Sequence, residues 1–320
     1  MKAAVLRELG GPDVLRVEEV ETPVPGPDEI LMKVHAVSIN QTLDILVRSG
    51  ESYTVELPYI IGNDPSGVVE AVGESVKGFK KGDPITAVKL PMEGGGYAEY
   101  ALVAAARTDH IPKGVSFADA SFVSRHFPMA YSLARAADLK AHEWVLVMSA
   151  AGALGYSAVQ VAKHLGARPI AAAGADERVA VAVALGAEGG INYRTQDLAE
   201  EVKSITGDGA NVVYENIADP TLWPGAFNSL AIYGRLVTVG AHGGGTVPLK
   251  IRDLYSRRIK IMSGLGFTRR EDVATGLRLV AEGAFRTLIN RVMPLDAIAE
   301  AHRVVEAGNV LGKVVIDPTL

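Results

Sequence analysis

The chain has 320 residues, of which 48% are hydrophobic and 22% charged, and its 32 basic and 37 acidic side chains leave a formal net charge of −5. That length suits two globular domains, and with no Lys/Arg cluster the composition argues against a nucleic-acid or anionic-membrane surface. There is no cysteine, which excludes disulfides, thiolate nucleophiles and every cysteine-based zinc site.

The opening stretch MKAAVLRELG turns charged at Arg7 and Glu8, so no secretory hydrophobic segment is read there. No apolar run reaches membrane-spanning length, and a cytoplasmic protein is expected. The histidines at 35, 110, 126, 142, 164, 242 and 302 form no HxH or HxxxH pair and read mostly as surface or packed residues. EILMKVHAV (29–37) sets Ile30, Met32 and Val34 against Leu31, Lys33 and His35, a strand with two different faces. Residues 67–88 give short β-branched runs punctuated by Gly and Gly-Asp-Pro turns, and short strands at that spacing suggest a small irregular barrel.

From about residue 120 strand-like and helical runs alternate. WVLVMSA (144–150) leads into a helix after Gly155, then come RPIAAAG (168–174), DERVAVAVALGA (176–187) and ANVVYENI (210–217). A helix near 221–231 and GRLVTVG (234–240) follow, then helices over 274–285 and 297–308 and a last strand, GKVVI (312–316). Such alternation implies a parallel sheet covered on both faces. The GGG runs at 94–96 and 243–245 mark loops, and there is no internal repeat or long linker.

The junction VLVMSAAGALGYSAVQVAKHLGA (145–167) joins a buried strand to a helix through small residues. A helix that starts directly after a parallel strand points unpaired N–H groups and its positive dipole end at the loop, where phosphate binds if no side chain intervenes. Ala150, Gly152 and Gly155 stand at the three glycine positions of the GxGxxG dinucleotide fingerprint, with alanine first. Ala158, Val161, Ala162 and Leu165 are expected to form the stripe facing the sheet. An NAD site usually carries an acid at the end of the second strand for the ribose 2′-OH, but this strand ends at Ala173-Gly174-Ala175. Asp176 reads better as a helix cap. Arg178 suits either a 2′-phosphate or a solvated surface, and NADPH is favoured over NADH.

These motifs resemble the zinc-independent medium-chain dehydrogenases/reductases of the quinone oxidoreductase and zeta-crystallin group. SAAGALG (149–155) and INYR (191–194) carry the likeness, with GGPDVLRVEE near the start, VSINQTLDILVRSG (37–50), GVVEAVG (67–73), GYAEY (96–100), GRLVTVG and GKVVI in family order. The resemblance implies an α/β protein: a GroES-like β-barrel catalytic domain over 1–120, completed by 268–320, and a Rossmann doubly wound parallel-sheet cofactor domain over 121–267. It implies an active cleft between them. It also assigns Ala151, Gly152, Ala153, Leu154 and Gly155 to the pyrophosphate. Gly174, Arg178 and Tyr193 fall on the adenine and 2′-phosphate side, Asn216, Gly240, Ala241 and Phe267 around the nicotinamide, and Asn309 and Lys313 near the phosphates. Asn40 and Tyr53 match cleft positions.

Zinc members of the superfamily carry a Cys and a Gly-His-Glu motif where this chain reads GNDPSG (62–67), so no metal is expected. Without a Lewis acid, alcohol oxidation lacks its usual alkoxide stabiliser, whereas an electron-poor conjugated acceptor needs less help. Its developing oxyanion wants hydrogen-bond donors. Asn40 is such a donor or a turn former, and Tyr53 a donor or a half-buried barrel residue. Where relatives read GLTAY this chain reads FPMAY (127–131), which puts Met129 in place of a threonine near the cofactor, and Arg125-His126 precede it. That pair either recognises a carboxylate or CoA-type anion or caps a following helix or faces solvent. The expected activity is NADPH-dependent reduction of a quinone or α,β-unsaturated carbonyl. The alternatives are an enoyl-thioester reductase and a crystallin-like cofactor binder with little turnover. Homodimers are common in the family, but no residue pattern marks an interface.

Overall fold

The alternating residues of the first third become a sheet built around one long strand. The computed structural model describes residues 1–320 except Ser52, Tyr53, Pro91, Phe267 and Asn309. The chain divides into two units, Met1–Arg125 with Val273–Leu320, and His126–Asp272. The divisions fall inside helices, at 125/126 and at 272/273.

In the first unit β1 (Lys2–Leu6), β2 (Leu15–Glu19) and β3 (Glu29–Ser38) are followed by helix α1 (Asp44–Ser49). Then come β4 (Tyr59–Ile60), β5 (Pro65–Val72), β6 (Pro84–Ala87), β7 (Tyr100–Ala104), β8 (Thr108–His110) and helix α2 (Phe117–Ala136). β1 pairs with β2 and β4 in a small sheet, while β3 pairs antiparallel with β5 and β7. Ile30, Met32 and Val34 point into the core and Lys33 is exposed, as period-two alternation requires.

α2 is a helix that the sequence reading did not place. Its start carries a local signal: Ser116 Oγ accepts from Asp119 N at 3.1 Å, an N-cap bond, and donates to Asp119 Oδ2 at 2.6 Å. Its middle hides the helical period, because Ala120, Phe122, Val123, Phe127, Ala130 and Leu133 are all buried and Pro128 lies inside it.

The second unit holds β9 (Trp144–Met148), helix α3 (Ala153–His164), β10 (Arg168–Ala173), helix α4 (Asp176–Val183) and β11 (Gly189–Asn192). It continues with helix α5 (Leu198–Thr206), β12 (Ala210–Tyr214), helix α6 (Trp223–Asn228), β13 (Leu230–Thr238), helix α7 (Ile251–Ser256) and β14 (Lys260–Ser263). Its six strands are parallel in the order β11-β10-β9-β12-β13-β14, the doubly wound order that reverses between β9 and β12. Leu146, Met148, Ile170, Ile191, Val213 and Leu236 fill one face with Trp223 and Phe227 of α6. α3 is buried continuously from Gly155 to Ala162, so it has no single stripe. Leu165, expected on that stripe, is instead the exposed C-cap residue.

Helix α8 (Arg270–Ala281) leads back to the first unit, which ends with β15 (Ile289–Pro294), helix α9 (Ile298–Glu306) and β16 (Lys313–Asp317). β16 lies antiparallel on the end of β3, Val315 opposite Ser38. Leu295, Ile298, Val314 and Ile316 join the same core as Ile30 and Met32. Among the described residues no helix is long and apolar enough to cross a membrane.

Candidate functional site: a dinucleotide turn and a buried polar cluster

Buried β9 ends at Met148, and the chain turns through Ser149, whose φ is +53°, into α3. Ala151, Gly152, Ala153, Leu154 and Gly155 form the turn and the first helical residues. The N-cap is Gly152, with no side-chain bond across the cap, so the first-turn N–H groups remain available to an anion. Gly155 is required by packing. A Cβ there would lie 2.3 Å from Ser149 O and 2.8 Å from Ala150 Cα, so only a bare α-carbon lets helix and strand approach this closely.

At the end of β10, a Cβ on Gly174 would meet the Tyr193 ring and hydroxyl and Arg194 Nε, each at 3.1 Å. Burial raises the Tyr193 phenol pKa, and the nearby Arg194 and Arg178 guanidiniums oppose that rise. Two cations thus lie within electrostatic reach of the Tyr193 phenol, against the single acid Asp219, and this balance suits a 2′-phosphate. The sequence reading missed Arg194, though it follows Tyr193 directly within INYR. Asp176 is not the cap of α4. Ala175 holds that position, and the Asp176 carboxylate accepts from Asn192 Nδ2 at 2.7 Å, because a helix that begins one residue earlier leaves the acid free to tie β11 down.

Asn216 and Gly240 follow the neighbouring strands β12 and β13. Asn216 Oδ1 accepts from Val239 N at 3.3 Å, while its buried Nδ2 has no partner. A buried amide nitrogen left without an acceptor at the carboxyl ends of parallel strands fits a polar ligand group at the crevice. Ala241, beside Gly240, is exposed. Together with the uncapped turn, these residues fit a nicotinamide dinucleotide. Phe267, Asn309 and Tyr53 lie outside the described residues.

Asn40, Lys313 and Arg125 gather in the first unit, in a buried polar cluster beneath the end of β3. Asn40 makes the turn into α1 with its backbone: its carbonyl accepts from Leu43 N and Asp44 N, and its N–H donates to Asp44 Oδ2 at 2.7 Å. Its side chain faces the other way, with Nδ2 donating to Asp64 Oδ2 at 2.5 Å and Oδ1 accepting from Lys313 Nζ at 2.7 Å. The fully buried Asp64 also accepts from Arg125 Nε at 2.7 Å. Arg125 further donates to the Lys89 carbonyl at 3.2 Å. Its guanidinium is therefore engaged with a buried carboxylate, and breaking such a pair costs about 3–5 kcal/mol. Arg125, His126 and Met129 lie within α2, so none of them caps a following helix, because this one begins at Phe117. His126 is buried and Met129 partly buried.

Asp44 completes the cluster. Tyr97 OH donates to its Oδ2 at 2.6 Å, while Oδ1 is buried without a partner. Burial pushes the Asp44 pKa up from 3.8 to about 6, against the pull of the Tyr97 and Asn40 bonds. Burial also brings Lys313 down to about 8, opposed by Asp64 and Asp44. Folded Asp44 keeps its proton to higher pH than the unfolded carboxylate, so stability is expected to fall as pH rises from about 4 to about 6. Above that window the ionised group costs about 3 kcal/mol. In denaturant titrations over this range, Asp44→Asn should lose that slope. A wild-type-to-variant difference independent of pH would refute the assignment.

With this geometry in hand, likeness to known proteins becomes informative. Residues 26–113 match the family described as "Alcohol dehydrogenase GroES-like domain" and residues 153–282 that described as "Zinc-binding dehydrogenase". Quinone oxidoreductase of Sus scrofa is 32% identical, over 99% of this chain and 97% of the relative. A 2-haloacrylate reductase of Burkholderia sp is 30% identical over 99% and 98%. The solved Escherichia coli quinone oxidoreductase complexed with NADPH superposes with a TM-score of 0.88 at 28% identity, covering 99% and 100% of the two chains. The chain belongs to the medium-chain dehydrogenase/reductase family, in its quinone oxidoreductase group.

A zinc ion does not fit the residues present. There is no cysteine, and among the described residues no group of three or more His, Asp or Glu side chains could hold a metal. At the GND stretch, Asn63 Nδ2 donates to the Leu90 carbonyl at 2.6 Å and Asp64 takes Asn40 and Arg125. Both Asp64 oxygens are thus engaged, one by a hydrogen bond and one by an ion pair.

Proposed function

We propose that the protein is an NADPH-dependent, zinc-independent reductase of quinones or α,β-unsaturated carbonyl compounds. The observation that supports the cofactor choice is the placement of Arg194 and Tyr193 against Gly174, with Arg178 in electrostatic reach of Tyr193 and no acid within β10 itself to meet a ribose hydroxyl. When bound, NADPH supplies the hydride. The turn at 151–155 takes the pyrophosphate on the N-terminus of α3, and Gly174, Arg178, Tyr193 and Arg194 hold the adenosine 2′-phosphate. Asn216, Gly240 and Ala241 border the nicotinamide end, and Phe267 and Asn309 are assigned to the cofactor by family position.

For the acceptor, the names of the relatives describe electron-poor conjugated compounds, a quinone and a haloacrylate. A primary amide has two N–H bonds, and Asp64 takes one from Asn40. The second is offered to the oxygen on which charge develops, with Tyr53 as a further donor. Arg125, bound to Asp64, serves to neutralise that carboxylate.

NADPH oxidation should be measured against quinones, enones, enals and enoyl thioesters. Turnover of quinones or enones above the other classes is the expected result, and turnover confined to enoyl thioesters would replace the substrate assignment. Exhaustive chelation should leave this activity intact, with no stoichiometric zinc by elemental analysis. Activity lost to the chelator and restored by zinc would refute the metal-independent mechanism.

A further inference from the structure

Lys313 is only 7% exposed, yet its ammonium lies inside the first unit. Nζ donates to Ile39 O at 2.5 Å and to Asn40 Oδ1 at 2.7 Å. The pairing of β16 with the end of β3 accounts for this placement, because Val315 opposite Ser38 brings Lys313 alongside the turn that begins at Asn40. The family resemblance set Lys313 near the cofactor phosphates, whereas here its donors go to the cluster.

The chemistry of the two partners fixes the amide. Lysine offers donors and no acceptor, and an ionised carboxylate only acceptors. Asn40 must therefore turn its oxygen to Lys313 and its nitrogen to Asp64. The flipped amide would set donor against donor and acceptor against acceptor in a buried site, where each lost bond is costly. Asp64 is held in turn by Arg125 Nε at 2.7 Å. The charged groups that act on Lys313 are Asp64, Asp44 on α1 and Arg125 on α2.

We propose that Lys313 is a positioning residue for Asn40. By gripping the amide oxygen it sets where the amide N–H bonds point, and it contributes to turnover through Asn40 rather than through the cofactor. This rests on the reading of Asn40 as the donor to the acceptor oxygen. Holding a donor before charge develops is worth more than supplying one that must reorient, since no reorganisation is left for the reaction step.

The test is steady-state kinetics with NADPH and p-benzoquinone on Asn40→Ala, Lys313→Met, Lys313→Arg and the Asn40→Ala/Lys313→Met double variant. Asn40→Ala should lower kcat on the order of 10²-fold, the usual loss for one oxyanion donor. Lys313→Met should lower kcat at least about 10-fold while the KM for NADPH moves less than about twofold, the pattern of a group that acts only in the transition state. In the Asn40→Ala background the same change should cost less than about twofold, because the two act as one unit. Lys313→Arg, which restores a cationic donor, should recover most of the loss. Full kcat in Lys313→Met, a loss that multiplies that of Asn40→Ala, or a raised KM for NADPH at unchanged kcat would each overturn the proposal.

Unchanged kcat in Asn40→Ala would instead defeat the reading of Asn40 as donor. The lock is then judged by NMR on the unaltered protein, which also serves if Lys313→Met fails to fold. The Asn40 side-chain amide, identified by its absence from Asn40→Ala, should exchange slowly with solvent. Rapid exchange would show that no lock exists.

Discussion

A single methyl group at position 155 is expected to destabilise the protein by about 3 kcal/mol or more, the upper range for overpacking a close contact. The added Cβ of Gly155→Ala would stand 2.3 Å from Ser149 O and 2.8 Å from Ala150 Cα. Both are backbone atoms next to a fully buried strand, so no side chain can swing aside. Gly152→Val should behave in the opposite way. Gly152 has φ −72° and ψ 158°, an extended conformation open to any residue, and a Cβ there approaches only Ser149 Oγ at 3.1 Å and Ser149 O at 3.2 Å. The fold should survive, while the branched side chain stands before the uncapped N–H groups of α3 and abolishes NADPH binding. Melting curves and NADPH titrations on both variants decide the point. Normal NADPH affinity in Gly152→Val would show that the turn has been given the wrong ligand.

The second large effect concerns cofactor choice. Replacing Arg178 and Arg194 together by alanine should raise the KM for NADPH on the order of 10²-fold, at about 1.5 kcal/mol for each charged hydrogen bond lost. The KM for NADH should change less than about threefold. Each single variant should show roughly half the effect in free energy, because both guanidiniums lie within electrostatic reach of Tyr193. Equal losses with the two cofactors would remove both arginines from the 2′-phosphate site. A loss confined to Arg178→Ala would remove Arg194 alone.

The dinucleotide turn and the buried polar cluster differ in how far they could be read along the chain. The dinucleotide turn is a short-range object. Strand, small-residue turn and helix follow one another within residues 144–164, and the need for bare backbone at a helix N-terminus is written into adjacent positions. The lack of an acid at the end of β10 itself and the presence of Arg178 are equally local. Arg194 was within reach of the same reasoning, but whether its side chain turns toward Gly174 depends on how β11 pairs with β10, which no local pattern states.

Helix α2 shows a different limit. Periodicity reveals a helix only when one face meets water, and α2 is buried on most sides with a proline within it. Its start at Ser116 and Asp119 was the one readable sign. With the helix unplaced, the sequence leaves Arg125 and His126 open as anion-binding, capping or solvent-facing residues, whereas both lie in its middle.

Residue types and local spacing sufficed for the strand–turn–helix junction at 144–164 and for the change from strand-only to alternating texture, because each depends on neighbours within a few turns of chain. The partners of the ionised groups were decided by tertiary structure. Arg125 meets Asp64 across 61 positions and Lys313 meets Asn40 across 273, brought together by a C-terminal strand laid on β3 and a helix packed beneath it. A carboxylate, an amide and an ammonium in isolation carry no sign of which will be buried side by side. Burial makes their pairing obligatory, since an unpaired charge in that interior costs more than the fold can spare.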